Sequence, residues 1–368
     1  MWISNISVEN FRNLDVSSQE LSAGVNILHG MNAQGKTSFL EAVYFCAFGR
    51  TLRTGTTDKD LICFNETRCH VRVDINRGGL PTTLDAHIER IGNKSKKGMF
   101  VNRVPIKHMK DLFGRLLVVM FSPEDLRLIK AGPYERRRFM DMEICQLSPI
   151  YYSDLKEYHR ALKQRNALLK TLFKDKSQKD SLFVWDEQLA KYGQRLTKAR
   201  ENFVQKINKI AKDIHFHITQ GKEELELIYE PSIADNYLEI LRKSHNRDMV
   251  QGTTTLGAHK DDINFTINNI SARYFGSQGQ QRTAALSAKL AEIEIIKADT
   301  GETPILLLDD VLSELDGVRQ RFLLEQISDM QTLVTCTGLE DVLLQMQDEY
   351  KVMEVKNGKI ISGSVRFP

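Results

Sequence analysis

Residues Gly30-Met31-Asn32-Ala33-Gln34-Gly35-Lys36-Thr37 match the phosphate-binding pattern G-x-x-x-x-G-K-[ST] in full. The pattern constrains the fold because it works only as a turn that leaves a strand and opens a helix. Gly30 and Gly35 let the backbone turn with no Cβ in the way, so that successive N–H groups converge on phosphate oxygens. Lys36 is placed to reach the β and γ phosphates as a point charge, and Thr37 offers a hydroxyl to Mg²⁺. The flanks agree. Val25-Asn26-Ile27-Leu28 is a β-prone run. Beyond Ser38, Phe39, Leu40, Val43, Tyr44 and Phe48 recur at helical spacing, so the loop feeds a helix N-terminus, which favours anions.

With 368 residues the chain has room for about two domains. A net charge of +3 is too small to predict nucleic-acid binding by itself, so any basic surface has to be local. Five cysteines without a C-x-x-C pair argue against a zinc module or a disulfide framework and suit a reducing compartment. No apolar run approaches a membrane span and the N-terminus has no signal pattern, so the expectation is a cytoplasmic protein without a membrane partner.

Residues 2–9 alternate as a strand does and lead into Glu9-Asn10-Phe11-Arg12-Asn13. Arg12 either folds back onto the phosphates or is a solvated turn arginine. Past the loop helix, Arg50 and Arg53 lie in a flexible segment and could face nucleotide or nucleic acid. Strands are expected over Cys69–Ile75, Thr82–Ile91 and Met99–Val104. Gly92–Gly98 is then a hairpin tip bearing Lys94, Lys96 and Lys97, either a solvated cluster or a contact to backbone phosphates. Leu116–Phe121 reads as a strand buried on both faces. A helix over 133–147 begins with the basic group Arg136-Arg137-Arg138.

Ser148-Pro149 marks a new helix start. Apolar and aromatic positions follow at 151, 155, 158, 162, 169 and 172, interrupted by Arg165, and again from 182 to 214 beyond a polar link, Lys174 to Asp180. This pattern predicts a two-helix hairpin with coiled-coil-like seams, its aromatics packing the core. Residues 225–250 have mixed character. His259 with Asp261 and Asp262 reads as a hydrogen-bonded turn in preference to a metal site. Gly276-Ser277-Gln278-Gly279 opens the helix Thr283–Lys297, an anion-binding arrangement that is weak alone. Pro304–Asp310 is stronger, because four apolar residues deliver two carboxylates at a strand's C-terminal end, where ligands sit in open α/β sheets. Asp309 suits Mg²⁺ and Asp310 suits polarising an attacking water. Ser313-Glu314-Leu315-Asp316, a helix over 317–330, a buried strand Gln331–Thr335 and a hairpin turning at Asn357-Gly358 complete the chain.

The phosphate loop, Ser277-Gln278-Gly279-Gln280 at a helix start, Leu306–Asp310 and Ser313–Asp316 together resemble the ABC-type ATPase head. Adding Glu9–Asn13, Phe121–Leu126, Gly257–Asp262 and Gln281-Arg282, the whole chain resembles the bacterial RecF family. The resemblance implies an α/β head of mixed sheets, formed by an N-terminal segment over 1–130 and a C-terminal segment over 251–368, and interrupted by a helical arm at 131–250. It also implies ATP and Mg²⁺ as cofactors, ATP-driven homodimerisation, and slow, DNA-stimulated hydrolysis. Binding to duplex, gapped or junction DNA in recombinational repair follows too, with RecR and RecO helping to load RecA. By the same carry-over Arg12 faces the nucleotide, Ser277 caps the γ phosphate of the opposite subunit, Asp309 holds Mg²⁺ and Asp310 is the catalytic acid position.

Three features depart from the general ABC pattern. The signature lacks its Leu-Ser-Gly-Gly start, the Phe121–Leu126 segment has no glutamine, and no switch histidine follows Thr335, where Thr335 or Thr337 could stand in. A transport ATPase is disfavoured, because Lys36 and Ser277 lie 241 residues apart. A long-armed tether is excluded by the short hairpin. A scaffold that uses ATP only to hold a dimer remains open on sequence alone.

Overall fold

A computed structural model describes residues 1–52, 55–172, 180–327, 329–338 and 350–366. Arg53 and most of the Lys174–Asp180 link lie outside the described residues. The chain divides into two compact units, Met1–Asp125 with Glu292–Pro368, and Leu126–Ala291.

The first unit starts with strands β1 (Trp2–Glu9), β2 (Ser17–Glu20) and β3 (Val25–His29), then helix α1 (Lys36–Phe48). Strands β4 (Arg68–Arg77), β5 (Leu80–Ile91), β6 (Lys94–Val101), β7 (Val104–Pro105) and β8 (Val118–Phe121) follow. The second unit holds α2 (Arg127–Lys130), α3 (Pro133–Leu147), α4 (Pro149–Leu172), α5 (Leu182–Ile218), β9 (Leu225–Glu230) and α6 (Tyr237–Gln251). It continues with β10 (Asp262–Ile267), β11 (Ile270–Ser271) and α7 (Ala272–Phe275). Helix α8 (Gln278–Thr300) returns the chain to the first unit, which ends with β12 (Ile305–Asp309), α9 (Gly317–Ile327), β13 (Thr332–Cys336), β14 (Tyr350–Lys356) and β15 (Lys359–Arg366).

Two six-stranded sheets frame the first unit. One runs β15-β14-β3-β13-β12-β8, parallel except for β15 at its edge. Its strands β8, β12 and β13 are buried along their whole length, which is why they read as unbroken apolar runs. The other sheet, β2-β1-β4-β5-β6-β7, is antiparallel. Its alternation puts Val71, Val73 and Ile75 on the buried face and charged residues on the other. Helix α1 packs against strands of both sheets. It is therefore buried on every side rather than along one stripe, and Thr37 is its only residue that is not buried.

In the second unit α4 and α5 form the expected helical hairpin. Pro149 opens α4, and Ser148 both ends α3 and accepts the Tyr151 N–H on its hydroxyl. The arginine that interrupts the seam is completely buried. Arg165 donates to Asp186 at 2.8 Å, to Asp248 at 2.7 Å and to Thr254 at 2.9 Å, linking α4 to α5 and α6.

Residues 225–250 resolve into β9 and α6. β9 pairs with β10 from Leu225↔Ile267 to Glu230↔Asp262. That ladder draws 251–291 into the second unit, so the compact units divide at 125/126 and 291/292, not at the borders expected from sequence. The lysine hairpin also differs. Ile91 pairs with Lys94, so the turn is only Gly92-Asn93 and the three lysines lie within strand β6.

Candidate functional site

The loop between β3 and α1 is built as its sequence requires. Gly35 sits at φ +119°, and a Cβ there would lie 2.7 Å from the Leu14 side chain. Lys36 heads α1 and folds its ammonium over the loop, donating to the Gly30 carbonyl at 2.6 Å and the Met31 carbonyl at 3.0 Å. Asn13 braces the loop from the β1–β2 connection, donating to the Ala33 carbonyl at 2.9 Å and accepting from the Ser38 hydroxyl at 2.7 Å. From the far end of the chain, the β14–β15 turn donates twice to Gln34: Asn357 N–H reaches its side-chain oxygen and Gly358 N–H its carbonyl, at 3.1 Å. Gly358 lies so close to the Asn13 carbonyl that any Cβ would collide with it.

The C-terminal ends of β12 and β13 bring the carboxylates to this loop. Thr37 and Thr335 both donate to Asp309 Oδ1, each at 2.9 Å, and Asp309 is buried. The Thr335 hydroxyl also accepts the Asp310 N–H at 3.0 Å, holding Asp310 at φ +53°. A threonine hydroxyl beside a carboxylate is a hard-oxygen donor set that fits Mg²⁺. Of the two candidate stand-ins for a switch histidine, Thr335 is in this cluster and Thr337 is exposed. The adjacent Cys336 thiol is pushed up to about 11 by burial and stays protonated at neutral pH.

Arg12 is neither solvated nor unpartnered. Its Nε and Nη2 donate to the two oxygens of Glu41 at 3.0 and 2.8 Å, and its Nη1 to the Asp60 carbonyl at 3.0 Å. Glu41, almost wholly buried in α1, also accepts from Thr51 at 2.6 Å. The guanidinium is thus fixed in the wall of the cleft.

A cleft of about 760 Å³ is lined by Arg12, Asn13, Asn32, Ala33, Gly35 to Ser38, Asp309, Asp310 and Thr335. Its remaining lining includes Lys59, Asp60, Phe64 and Arg90, which sequence reasoning missed. Phe64 is 91% exposed, an apolar ring open to solvent. In the sequence it only ends the short apolar run Leu61-Ile62-Cys63-Phe64, which reads as core and not as a ligand contact. Gly30, Met31 and Gln34 belong to the same loop through the contacts above.

Ser277 and Gly279 lie in the second unit, at the start of α8. Gln280 and Ser277 form reciprocal bonds there: Ser277 N–H donates to the Gln280 side chain at 2.8 Å, and Gln280 N–H to the Ser277 hydroxyl at 3.2 Å. This is a capping box on an exposed helix N-terminus. His259 is a hydrogen-bonded turn residue, as expected. Its Nδ1 meets the Tyr158 hydroxyl at 2.8 Å and its Nε2 the Thr254 carbonyl at 3.0 Å. Burial lowers its pKa to about 4, so the ring is neutral.

The expected basic contacts divide. Arg50, Lys94 and Lys96 are exposed. Lys97 points to the other face of β6, bonding the Gly49 carbonyl at 2.7 Å and Asp58 at 2.9 Å, and so is not a member of an open lysine tip. Arg136 is corrected as well: it is buried and grips both oxygens of Asp262 at 2.6 and 2.9 Å. Arg137 donates to the Asp261 carbonyl at 2.7 Å, and Arg138 lies 3.9 Å from Glu135. The 136–138 group therefore holds the second unit together instead of forming a basic patch.

Residues 2–361 match the family described as RecF/RecN/SMC N terminal domain. The "DNA replication and repair protein RecF" of Lachnoclostridium phytofermentans is 47% identical over 364 residues, covering 99% of this chain and 100% of that one. The protein of the same description from Lachnospira eligens is 44% identical over 365 residues, covering 98% and 99%. The solved structure of the recombination mediator protein RecF with ATP in the RecFOR pathway superposes with a TM-score of 0.91 at 34% identity, over 99% of this chain and 98% of that one. With an ABC-type ATPase head, a complete phosphate loop and relatives of this closeness along its whole length, the chain belongs to the RecF family.

Proposed function

We propose that this protein is an ATP-dependent DNA-binding ATPase of recombinational and replication-gap repair, acting in the cytoplasm with RecR and RecO to help load RecA. The observation that carries the reading is the convergence of Lys36, Thr37, Asp309, Asp310, Arg12 and Thr335 on one cleft. In this reading the ATP phosphates take the place of the Gly30 and Met31 carbonyls at the Lys36 ammonium. The loop N–H groups and the α1 N-terminus hold the same phosphates. Thr37 and Asp309 would hold Mg²⁺, whose positive charge offsets the charge of the β and γ phosphates. Asp310 orients and polarises the attacking water, with Thr335 fixing its backbone.

The functional head then takes its nucleotide half from 1–130 and its signature half from 251–368, with 131–250 as the arm. Ser277 and Gly279, on an exposed helix start, serve the γ phosphate of a second copy, so that ATP joins two copies on duplex, gapped or junction DNA. Slow, DNA-stimulated hydrolysis releases them. Exposed Arg50, Lys94 and Lys96 are the DNA contacts retained in this reading.

Mass in solution, measured with and without ATP and DNA, tests it. Wild type is expected to double in mass with ATP. Lys36→Met removes the charge-assisted contact and is expected to lower ATP affinity roughly 10- to 150-fold, corresponding to about 1.5–3 kcal/mol. It should remain monomeric at ATP concentrations that join wild type. Unchanged affinity in the variant would refute the anchoring role.

A further inference from the structure

The antiparallel sheet of the first unit carries a second chemical cluster, on the face turned away from its apolar side. His70 in β4 stands directly opposite His87 in β5, and Asp85, two residues before His87, lies on the same face. The two imidazoles stack with centroids 4.1 Å apart and planes 11° apart. His70 Nε2 is 3.1 Å from Asp85 Oδ1. One donor atom from each of the three residues lies within 4.8 Å of the others. Among the described residues this is the one such group of histidine and carboxylate ligands. None of the three lines the nucleotide cleft.

We propose that His70, Asp85 and His87 form a binding site for a divalent transition metal of the zinc class. Ligand atoms about 2.0–2.1 Å from a tetrahedral zinc ion stand roughly 3.3–3.4 Å from one another. The His70–Asp85 pair is already at nearly that separation. Asp85 is buried and fixed, whereas His87 is exposed, so rotation of the His87 ring suffices to bring in the third donor. Two imidazole nitrogens with one carboxylate oxygen suit zinc, copper or nickel better than magnesium or calcium, which prefer oxygen alone. Binding displaces the Nε2–H that faces the Asp85 carboxylate: that proton goes to solvent and the neutral ring takes one on Nδ1, which leaves the Nε2 lone pair to the metal.

Gly98 is the β6 partner of His87, and the Phe100 ring fills the space over it and meets the imidazole edge-on at 5.3 Å between centroids, so a metal would enter from the exposed side of His87. Glu9 is the β1 partner of His70 and shares its face, but its carboxylate is not part of the cluster, so the fourth position falls to water. The donors stand on a paired backbone ladder whose opposite face, with Val71, Val73, Ala86 and Ile88, is buried. That support favours a preformed site. The bound ion would clamp β4 to β5 from outside.

The test is calorimetric titration of the chelator-stripped full-length protein with Zn²⁺, without nucleotide, alongside Co²⁺ absorption. Wild type is expected to bind one Zn²⁺, and His87→Gln and Asp85→Asn each at least tenfold more weakly. The Co²⁺ complex should show d–d bands without thiolate charge transfer, because no cysteine takes part. ATP affinity of His87→Gln should equal that of wild type, which shows that the variant is folded. Absence of Zn²⁺ binding to wild type, equal binding by both variants, or a thiolate band would each overturn the assignment.

Discussion

Arg12 adopts φ +59°, a conformation that non-glycine residues seldom take, and holds it because three of its nitrogens are bonded. The strained turn and the buried Glu41 partner fix the guanidinium before any ligand arrives. A fixed cation in the wall of a phosphate cleft contributes without reordering when the anion binds. Arg12→Lys keeps the charge, but one ammonium cannot span both Glu41 oxygens and the Asp60 carbonyl. The expected result is a roughly tenfold loss of ATP affinity, about 1.4 kcal/mol, in equilibrium nucleotide titration. A variant of reduced thermal stability with wild-type affinity would show that Arg12 only braces the α1 region. Lys97 and Arg136 make the complementary point. Each has the charge of a DNA contact, yet each is committed to a carbonyl and a carboxylate inside its own unit.

Among the elements, the α4–α5–α6 layer depends on a charge at its centre. Arg165, Asp186 and Asp248 are fully buried, and His245 and the Thr255 hydroxyl satisfy the outer oxygens of Asp186 and Asp248, each at 2.6 Å. Such a network adds little stability over an apolar core of the same shape, but removing one partner leaves buried charges unpaired. Arg165→Met is therefore expected to destabilise the protein by about 3–5 kcal/mol, read from urea unfolding. ATP affinity should be unaffected, because every residue lining the cleft belongs to the first unit. Replacing Asp186 and Asp248 by leucine in the same variant should restore much of the loss. If Arg165→Met unfolds at the wild-type urea midpoint, the network is dispensable. Helix α1 differs in kind: it is held by apolar burial on every side, between sheets.

For the whole molecule, the nucleotide cleft and the Ser277 helix start belong to different compact units. In the proposed function, a second copy supplies Ser277 across the γ phosphate, and joining two copies doubles the phosphates neutralised on DNA. Duplex affinity changes with salt by about −0.9 in log units per contacted phosphate, so the slope reports that doubling. Wild type is expected to bind duplex more tightly and with a steeper salt slope when ATP is present. Ser277→Arg should bind ATP normally yet show the same shallow slope with and without it. Equal slopes for wild type in the two states would separate DNA binding from dimerisation.

The local sequence determined a good deal by itself. The phosphate loop, α1, the buried strands β8, β12 and β13, and the helical hairpin were legible because each is fixed by residues adjacent in the chain. Glycines at a turn, unbroken apolar runs and a 3-4 repeat act over short range. The pairing of Thr335 with Asp309, the Glu41 clamp on Arg12, the Asn357-Gly358 turn on the loop and the inclusion of Phe64 and Arg90 in the cleft were not legible. Each joins segments far apart in sequence, and nothing local records the partner. The sequence showed basic residues at 94–97 and 136–138. Only strand register and burial decided that Lys94 and Lys96 remain in solvent while Lys97 and Arg136 are bound. A one-residue step along a strand reverses the face, and a carboxylate 126 positions away in Asp262 claims the arginine.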